Sequence, residues 1–372
     1  FGIEGYGPDF LIYRTFFIKT NVIREDKDDG IVEKKLDNAE KNLSNVIAFI
    51  KDRISKNNKI DFYNICDELR RPPFGIKKYI IPLLLATTIY IENLFDKIIL
   101  LERDSEIKIN SNVFLKSILN PKNYKIDYLK IDDLKAKYIK EIEKIFGINK
   151  GKNKINRLWH IYESYQDWYY SLDNYARSTK NISNEGIAIR RIFKRPNINP
   201  KRLFFQILPK KLTTTTNLDL KNVEKIIEAL SNYYNELNNI YEKLLNRLQL
   251  NISNIFSKDS SENLSTILIN WFNKQDSYTI DKNYDTDITN NFLSIFKNDL
   301  LSKGMDKEET INILSNCLLG FDTKDLNDDT VDHLINSLKN VKNEIISDVN
   351  KEQSEIDNNK FYITINDKNG NE

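Results

Sequence analysis

The groups best suited to chemistry are few and widely separated along this chain. His160 and His333 fall on different stretches of helical spacing without a second ligand at metal distance, so each reads as a helix-face residue before a metal ligand or general base. Cys66 and Cys317 form no CxxC pair, which argues against a disulfide framework or a cysteine zinc site and fits a reducing compartment. No GxxxxGKS or GxxxxGKT phosphate loop occurs, nor a GxGxxG after a strand, so the common nucleotide sites are not encoded.

A metal-dependent nuclease of the carboxylate–lysine type needs an aspartate on one strand and an acidic-x-lysine triplet on the next, so that two carboxylates hold magnesium beside a lysine. Asp9 with Glu33-Lys34-Lys35, and Asp96 with Glu106-Ile107-Lys108, can be written in that form. The first requires residues 10–17 to be a strand, although Phe10, Tyr13, Phe16 and Phe17 are spaced as on a helix. The second lies in a hairpin that more simply completes a wing. With 56 basic and 54 acidic residues, such triplets recur by chance. The nuclease stays as an alternative; the preferred reading assigns no catalytic residue, no metal and no cofactor.

The most concentrated polar signal is basic. Arg70, Arg71, Lys77 and Lys78 flank the breaker Arg70-Arg-Pro-Pro-Phe-Gly75, and Arg103 and Lys108 lie on the hairpin that follows. In a DNA-binding winged helix, such positions contact phosphates while the third helix enters the major groove. Here residues 80–91, in the place of that third helix, are apolar almost all round and lack the Arg, Asn and Gln that read base edges. Contact with phosphates, or a purely structural or protein-docking role, remain as the readings of this block. A second basic group, Arg190, Arg191, Lys194, Arg195, Lys201 and Arg202, is interleaved with Phe193, Phe204 and Phe205; it is either a stacking surface for single strands or a core with a solvated face.

The elements that must position these residues follow from periodicity. A helical pattern over residues 9–23 leads into a charged loop at 25–30. Helices are expected over 45–54, 61–69 and 76–93, with strands over 97–101 and 106–109, the order helix, helix, helix, hairpin of a winged-helix-like module. Helices at 132–146 and 153–175 come next, then a proline-punctuated stretch from 181 to 212 and a boundary near Thr213–Thr216. Leu220, Val223, Ile227, Leu230, Tyr234, Leu237, Tyr241, Leu244 and Leu248 alternate spacings of three and four, predicting one long helix over 219–249 with Asp219 as its N-cap. Shorter helices at 262–272, 289–303, 307–319 and 328–349 complete a bundle pattern. The fold class expected is therefore mainly α, a multi-helix bundle with a small winged-helix-like module. Its parts are 1–43, a helix and loop; 44–120, the module; 121–212, a helical connector; 213–352, the bundle; and 353–372, the start of a truncated β element containing the alternating run 361–365.

Composition bounds the rest. A chain of 372 residues exceeds the size at which one hydrophobic core stops growing, and 40% hydrophobic with 30% charged residues is a globular balance. A formal charge of +2 advertises no global field for a polyanion, so a nucleic-acid surface must be a local patch. The longest apolar run, 80–91, falls short of the roughly 20 residues needed to span a bilayer, which predicts a cytoplasmic protein without membrane contact. Both ends look cut from something longer.

The block Arg70-Arg-Pro-Pro-Phe-Gly-Ile-Lys-Lys-Tyr-Ile-Ile-Pro-Leu-Leu-Leu85, followed by the Leu100-Leu-Glu102 hairpin, resembles a winged-helix insert of large bacterial P-loop ATPases of phage-defence and restriction systems, such as the BREX type. Asp173-Asn-Tyr-Ala-Arg-Ser-Thr-Lys180 and Arg202-Leu-Phe-Phe-Gln-Ile-Leu-Pro209 are similar to helical regions of such proteins. The likeness covers residues 1–256 and rests on packing motifs, and the phosphate loop that defines an ATPase is missing from these residues. It implies a non-catalytic binding or regulatory segment of a DNA-associated motor, able to contact DNA phosphates, whose partners are the rest of a larger polypeptide or other proteins. A helical protein–protein interaction scaffold is the alternative from another class.

Overall fold

The computed structural model describes residues 8–20, 22–25, 32–34, 41–56, 59–95, 97–148, 157–194, 198–257 and 262–358. They are mainly helical, with a small four-stranded antiparallel sheet and a two-stranded ribbon. In chain order the elements are α1 (Pro8–Tyr13), β1 (Ile23–Glu25), β2 (Val32–Lys34), α2 (Lys41–Lys56), β3 (Lys59–Asp61), α3 (Phe62–Arg70), α4 (Ile81–Ile91), β4 (Ile98–Glu102), β5 (Ser105–Ile107), α5 (Ser111–Leu119), β6 (Tyr124–Tyr128), α6 (Asp133–Ile145) and α7 (Arg157–Ser171). Then come α8 (Asn174–Ser178), α9 (Asn184–Phe193), α10 (Pro200–Arg202), α11 (Leu208–Thr213), α12 (Leu220–Phe256), α13 (Leu264–Phe272), α14 (Ser277–Asp281), α15 (Asp287–Lys297), α16 (Lys307–Leu319) and α17 (Asp328–Asn358). A π-helical turn, Leu203–Ile207, joins α10 to α11.

The described residues form two compact units, one drawn from 1–167 and 188–231, the other from 168–187 and 232–372. In the first, the sheet order is β3-β6-β4-β5. One sheet face, carrying Ile60, Ile98, Leu100, Tyr124 and Ile126, closes a core against Val46, Ile47, Ile50 and Ile54 of α2, Phe62, Ile65 and Leu69 of α3, and Ile81, Leu84, Leu85 and Ile89 of α4. Ile99 and Leu101 on the opposite face are buried as well. Burial on both faces is why 98–101 is an unbroken apolar run instead of an alternating one.

Three local differences from the sequence reading have physical causes. The expected four-residue hairpin loop is a two-residue turn, Arg103-Asp104, with φ of 49° and 66°, so the strands extend to Glu102 and Ser105; two left-handed residues match the twist of the flanking strands. Residues 124–128, placed within a helical connector by the sequence reading, form the strand β6 between β3 and β4. Their alternation of Tyr124, Ile126 and Tyr128 with Lys125 and Asp127 is the signal of a half-buried strand. The helix expected over 9–23 ends early, passing from α1 through a π turn at Arg14–Ile18 into β1. The expected strand at 361–365 lies outside the described residues.

The second unit is a helical bundle. The α12 helix, of which residues 220–231 belong to the first unit and 232–256 to the second, is continuous over Leu220–Phe256, and the Asp219 carboxylate accepts from the Asn222 N–H at 2.8 Å. Its buried line is Val223, Ile226, Leu230, Tyr233, Leu237, Ile240, Leu244, Leu248, Ile252 and Phe256, while Ile227, Tyr234 and Tyr241 border it half-buried and Leu220 is 52% exposed. The predicted seam is thus correct at Val223, Leu230, Leu237, Leu244 and Leu248, fails at Leu220, which stands at the helix start in solvent, and is displaced by one residue at Ile227, Tyr234 and Tyr241. Tyr241 explains the displacement at its own level: its hydroxyl must reach the Glu308 carboxylate, at 3.0 Å, so the ring stands at the edge and Ile240 takes the interior. A second line on α17, Val331, Leu334, Leu338, Val341 and Ile345, and an aromatic group of Phe256, Trp271, Phe292 and Phe296 fill the bundle centre. Among the described residues no helix is long and apolar enough to cross a membrane.

Leu237 is 1% exposed. Leu237→Ala should lower unfolding free energy by about 2–5 kcal/mol, as for other buried leucines cut to alanine. Urea denaturation checks this, and a loss below about 1 kcal/mol would show that the seam is not a load-carrying part of the core.

Candidate nucleic-acid interface

The chain between α3 and α4 is a built turn. The Phe74 and Gly75 N–H groups both donate to the Arg71 carbonyl, at 3.1 and 3.0 Å, and the Ile76 N–H returns to the Leu69 carbonyl at 2.9 Å. Gly75 adopts φ +61°, which a side chain would strain. Phe74 folds back onto Phe49 of α2, with ring centroids 4.7 Å apart. A 3-10 turn, Lys78–Ile80, then leads into α4, whose second residue, Pro82, has the fixed φ that suits a helix start.

This turn leaves Arg70, Arg71, Lys77 and Lys78 exposed. Arg71 pairs with Asp67 at 2.7 Å; among the described residues Arg70, Lys77 and Lys78 have no ion-pair partner. The charges of Arg70 and Lys78 both act on the Cys66 thiol, each favouring its ionised form. Burial outweighs the two cations and pushes that thiol up to about 12, which removes Cys66 as a nucleophile near neutral pH.

The two remaining predicted cations have other surroundings. Lys108 is bound to Glu163 of α7 at 2.5 Å, so its charge is locally neutralised. Arg103 sits at the hairpin tip, exposed, with its backbone N–H on the Asn123 carbonyl at 2.8 Å. Beside it, Asp104 takes Lys59 at 2.8 Å and Lys125 at 3.0 Å; these hydrogen bonds hold its carboxyl below the ordinary range and raise the Lys125 ammonium. Arg103 acts on Tyr124, whose ring packs against Phe62 at the start of α3. The hairpin tip therefore belongs near one end of α3 and the four turn cations to the other, about 12 Å along a nine-residue helix.

The second basic group divides differently. Phe193 stacks on Tyr165 at 3.7 Å and meets Phe204 edge-on at 6.3 Å, all buried, so these rings are core. Arg190 is buried, and Lys201 is bound to Asp127 at 2.7 Å; Arg195 lies outside the described residues. For the carboxylate–lysine arrangements, Asp96 and Lys35 lie outside the described residues and Lys108 is engaged with Glu163. Among the described residues no three His, Cys, Asp or Glu side chains are placed to hold a metal. His333 faces Ser337 at 3.3 Å within α17, and His160 is half-buried on α7.

Sequence reasoning missed two features. The second unit holds a cavity of about 390 Å³ lined by Tyr241, Asp306, Glu308, Glu309, Asn312, Asp322 and Lys324, whose acidic lining repels a polyanion. In the first unit, both Glu106 carboxylate oxygens are buried, facing the Lys201 backbone, the Lys201–Asp127 pair and the Trp159 indole. Burial lifts the Glu106 carboxyl from the usual 4.5 to about 7; the Lys201 charge opposes this and Asp127 adds to it. Nothing in the local sequence Ser105-Glu-Ile107 announces that burial, because the groups covering it come from residues 127, 159 and 201. Comparison of the chain with protein-family models, with curated proteins and with solved structures returned no match.

A carboxyl that holds its proton more tightly when folded stabilises the fold fully below its unfolded pKa, and the contribution is lost as pH rises through the folded value near 7. Glu106→Gln, which keeps the shape and removes the charge, should be near neutral in effect at about pH 5 and stabilising by on the order of 2–3 kcal/mol at about pH 8. Urea titrations at both pH values check this; an equal effect at both would show that Glu106 ionises normally.

Proposed function

We propose that the first unit contacts nucleic-acid phosphates through the 70–78 turn without reading sequence, as a binding or regulatory segment of a larger DNA-associated defence ATPase. The observation that carries this reading is the concentration of four exposed cations, Arg70, Arg71, Lys77 and Lys78, on one hydrogen-bonded turn, in a chain whose net charge is only +2. Phosphate contacts need only positive side chains on an open surface, whereas base readout needs a helix free to enter a groove.

The winged-helix reading supplies the context. What supports that reading is the order α2, β3, α3, α4, β4 with β6 pairing between β3 and β4; the β5 strand and the α5 helix are inserted between β4 and β6. In such a module α4 would be the groove-reading helix, yet Ile81, Leu84, Leu85, Thr87, Thr88, Ile89 and Ile91 are all buried. This favours phosphate contact over base readout. The ATPase and defence setting rests on the sequence resemblance of the Arg70–Leu85 block. The protein-scaffold alternative draws on a different observation: Leu115 and Leu119, one helical turn apart on α5, are 61% and 72% exposed.

With labelled DNA and anisotropy read at several salt concentrations, affinity should fall steeply as salt rises. Lys77→Ala with Lys78→Ala should weaken binding uniformly across sequences and lower the salt slope by roughly one per lost contact. Both side chains are exposed, so stability should stay within about 0.5 kcal/mol. A double variant that binds like the parent at every salt concentration overturns the proposal.

A further inference from the structure

Every apolar side chain of the 74–80 segment turns inward except one. Phe74 packs on Phe49, Ile76 and Ile80 are half-buried against the core, but Tyr79 is 78% exposed, the most exposed large apolar side chain among the described residues. Single exposed tyrosines are common and by themselves carry no meaning. This one follows Lys77 and Lys78 directly in the chain, both exposed, on the turn that begins at the exposed Arg70 and Arg71. Among the described residues nothing bonds its hydroxyl.

A second exposed aromatic lies on α3. Tyr63 is 40% exposed and stands seven residues before Arg70, two helical turns away on the same face and about 10 Å along the axis. The Lys122 ammonium lies over its ring, 5.3 Å from the centroid. Cations interleaved with accessible aromatic faces suit a strand whose bases are free to stack, because the lysines take the phosphates while a ring takes the base. A closed duplex hides those base faces and presents only its backbone and groove edges.

We propose that Tyr79 is a stacking platform for an unpaired base, so that the 70–79 surface prefers single-stranded nucleic acid to closed duplex. This rests on the phosphate-contact reading of the same turn and adds the class of strand bound. The lysines set the electrostatic part of the affinity, shared by both forms; the tyrosine sets the difference between them.

The test uses the full chain with labelled oligo-dT and oligo-U of roughly twelve nucleotides, within the usual site size of such surfaces, and a blunt duplex and heparin as base-hidden and base-free polyanions. The parent should bind the single strands more tightly than the duplex. Tyr79→Ala should lose about tenfold or more on the single strands, with the salt slope, the duplex and heparin unchanged, and Tyr79→Phe should restore binding. Equal loss on dT and U identifies stacking on the base; loss on one alone identifies that nucleic acid as the ligand, and both outcomes support the proposal. Parent-like single-strand binding by Tyr79→Ala, alongside weakening by the Lys77→Ala/Lys78→Ala variant, overturns the stacking role and leaves the phosphate reading standing. Tighter binding of the duplex by the parent also overturns it. Absence of binding to every probe overturns both.

Discussion

The first unit is organised by a helix that has no polar side to offer water. Residues Ile81–Ile91 are Ile-Pro-Leu-Leu-Leu-Ala-Thr-Thr-Ile-Tyr-Ile, and a helix apolar all round is stable only if other elements cover it on every side. Here α2 and α5 pack against α4, and one face of the sheet closes the same core. Of its two buried hydroxyls, Thr88 donates to the Leu84 carbonyl at 2.8 Å, whereas the Thr87 oxygen has no partner among the described residues and costs about 1–3 kcal/mol for that reason. Covering α4 fixes where it begins, and that in turn fixes the turn bearing the cations. Burial of the one helix thus sets where the turn carrying Arg70, Arg71, Lys77 and Lys78 emerges.

Charge is used locally in both units. Single carboxylates tie loops down: in the second unit Asp328 accepts from the Thr179 hydroxyl, the Lys180 N–H and the Asn181 amide at 2.7, 2.8 and 3.1 Å. Glu236 accepts from the Ser183 N–H and hydroxyl at 2.7 and 2.8 Å. Gly186 lies so near that carboxylate that a Cβ there would stand 3.0 Å from its oxygen. The 173–183 segment is therefore held by buried rings and two acids, and its sequence character is explained by packing. In the first unit Asp104, Asp127, Glu163 and Asp67 each neutralise a cation, which leaves the turn residues Arg70, Lys77 and Lys78 as a local concentration of unpaired charge among the described residues. Near-balanced totals of acid and base conceal that concentration until the pairs are drawn.

Periodic features were legible in the sequence because they depend on neighbours three or four residues away. The α12 helix, its Asp219 cap, its Leu230, Leu237, Leu244 and Leu248 seam, and the α16 helix over 307–319 follow from spacing alone. The breaker at Arg70–Gly75 was legible for the same reason, since proline and a left-handed glycine act on the backbone at their own positions. The strand β6 was hidden because five residues of alternation gain meaning only beside β3 and β4, which lie far away in the chain.

By itself, then, the sequence determined the helical class, the long heptad helix, the apolar helix after the proline turn and the cations that flank it, all consequences of local steric and periodic rules. Tertiary structure decided which charges are neutralised, that the Glu106 carboxyl is buried, and that Tyr79 alone of the apolar side chains in its segment faces outward. Each of these depends on what residues distant in the chain bring against the group, and no local spacing carries that information.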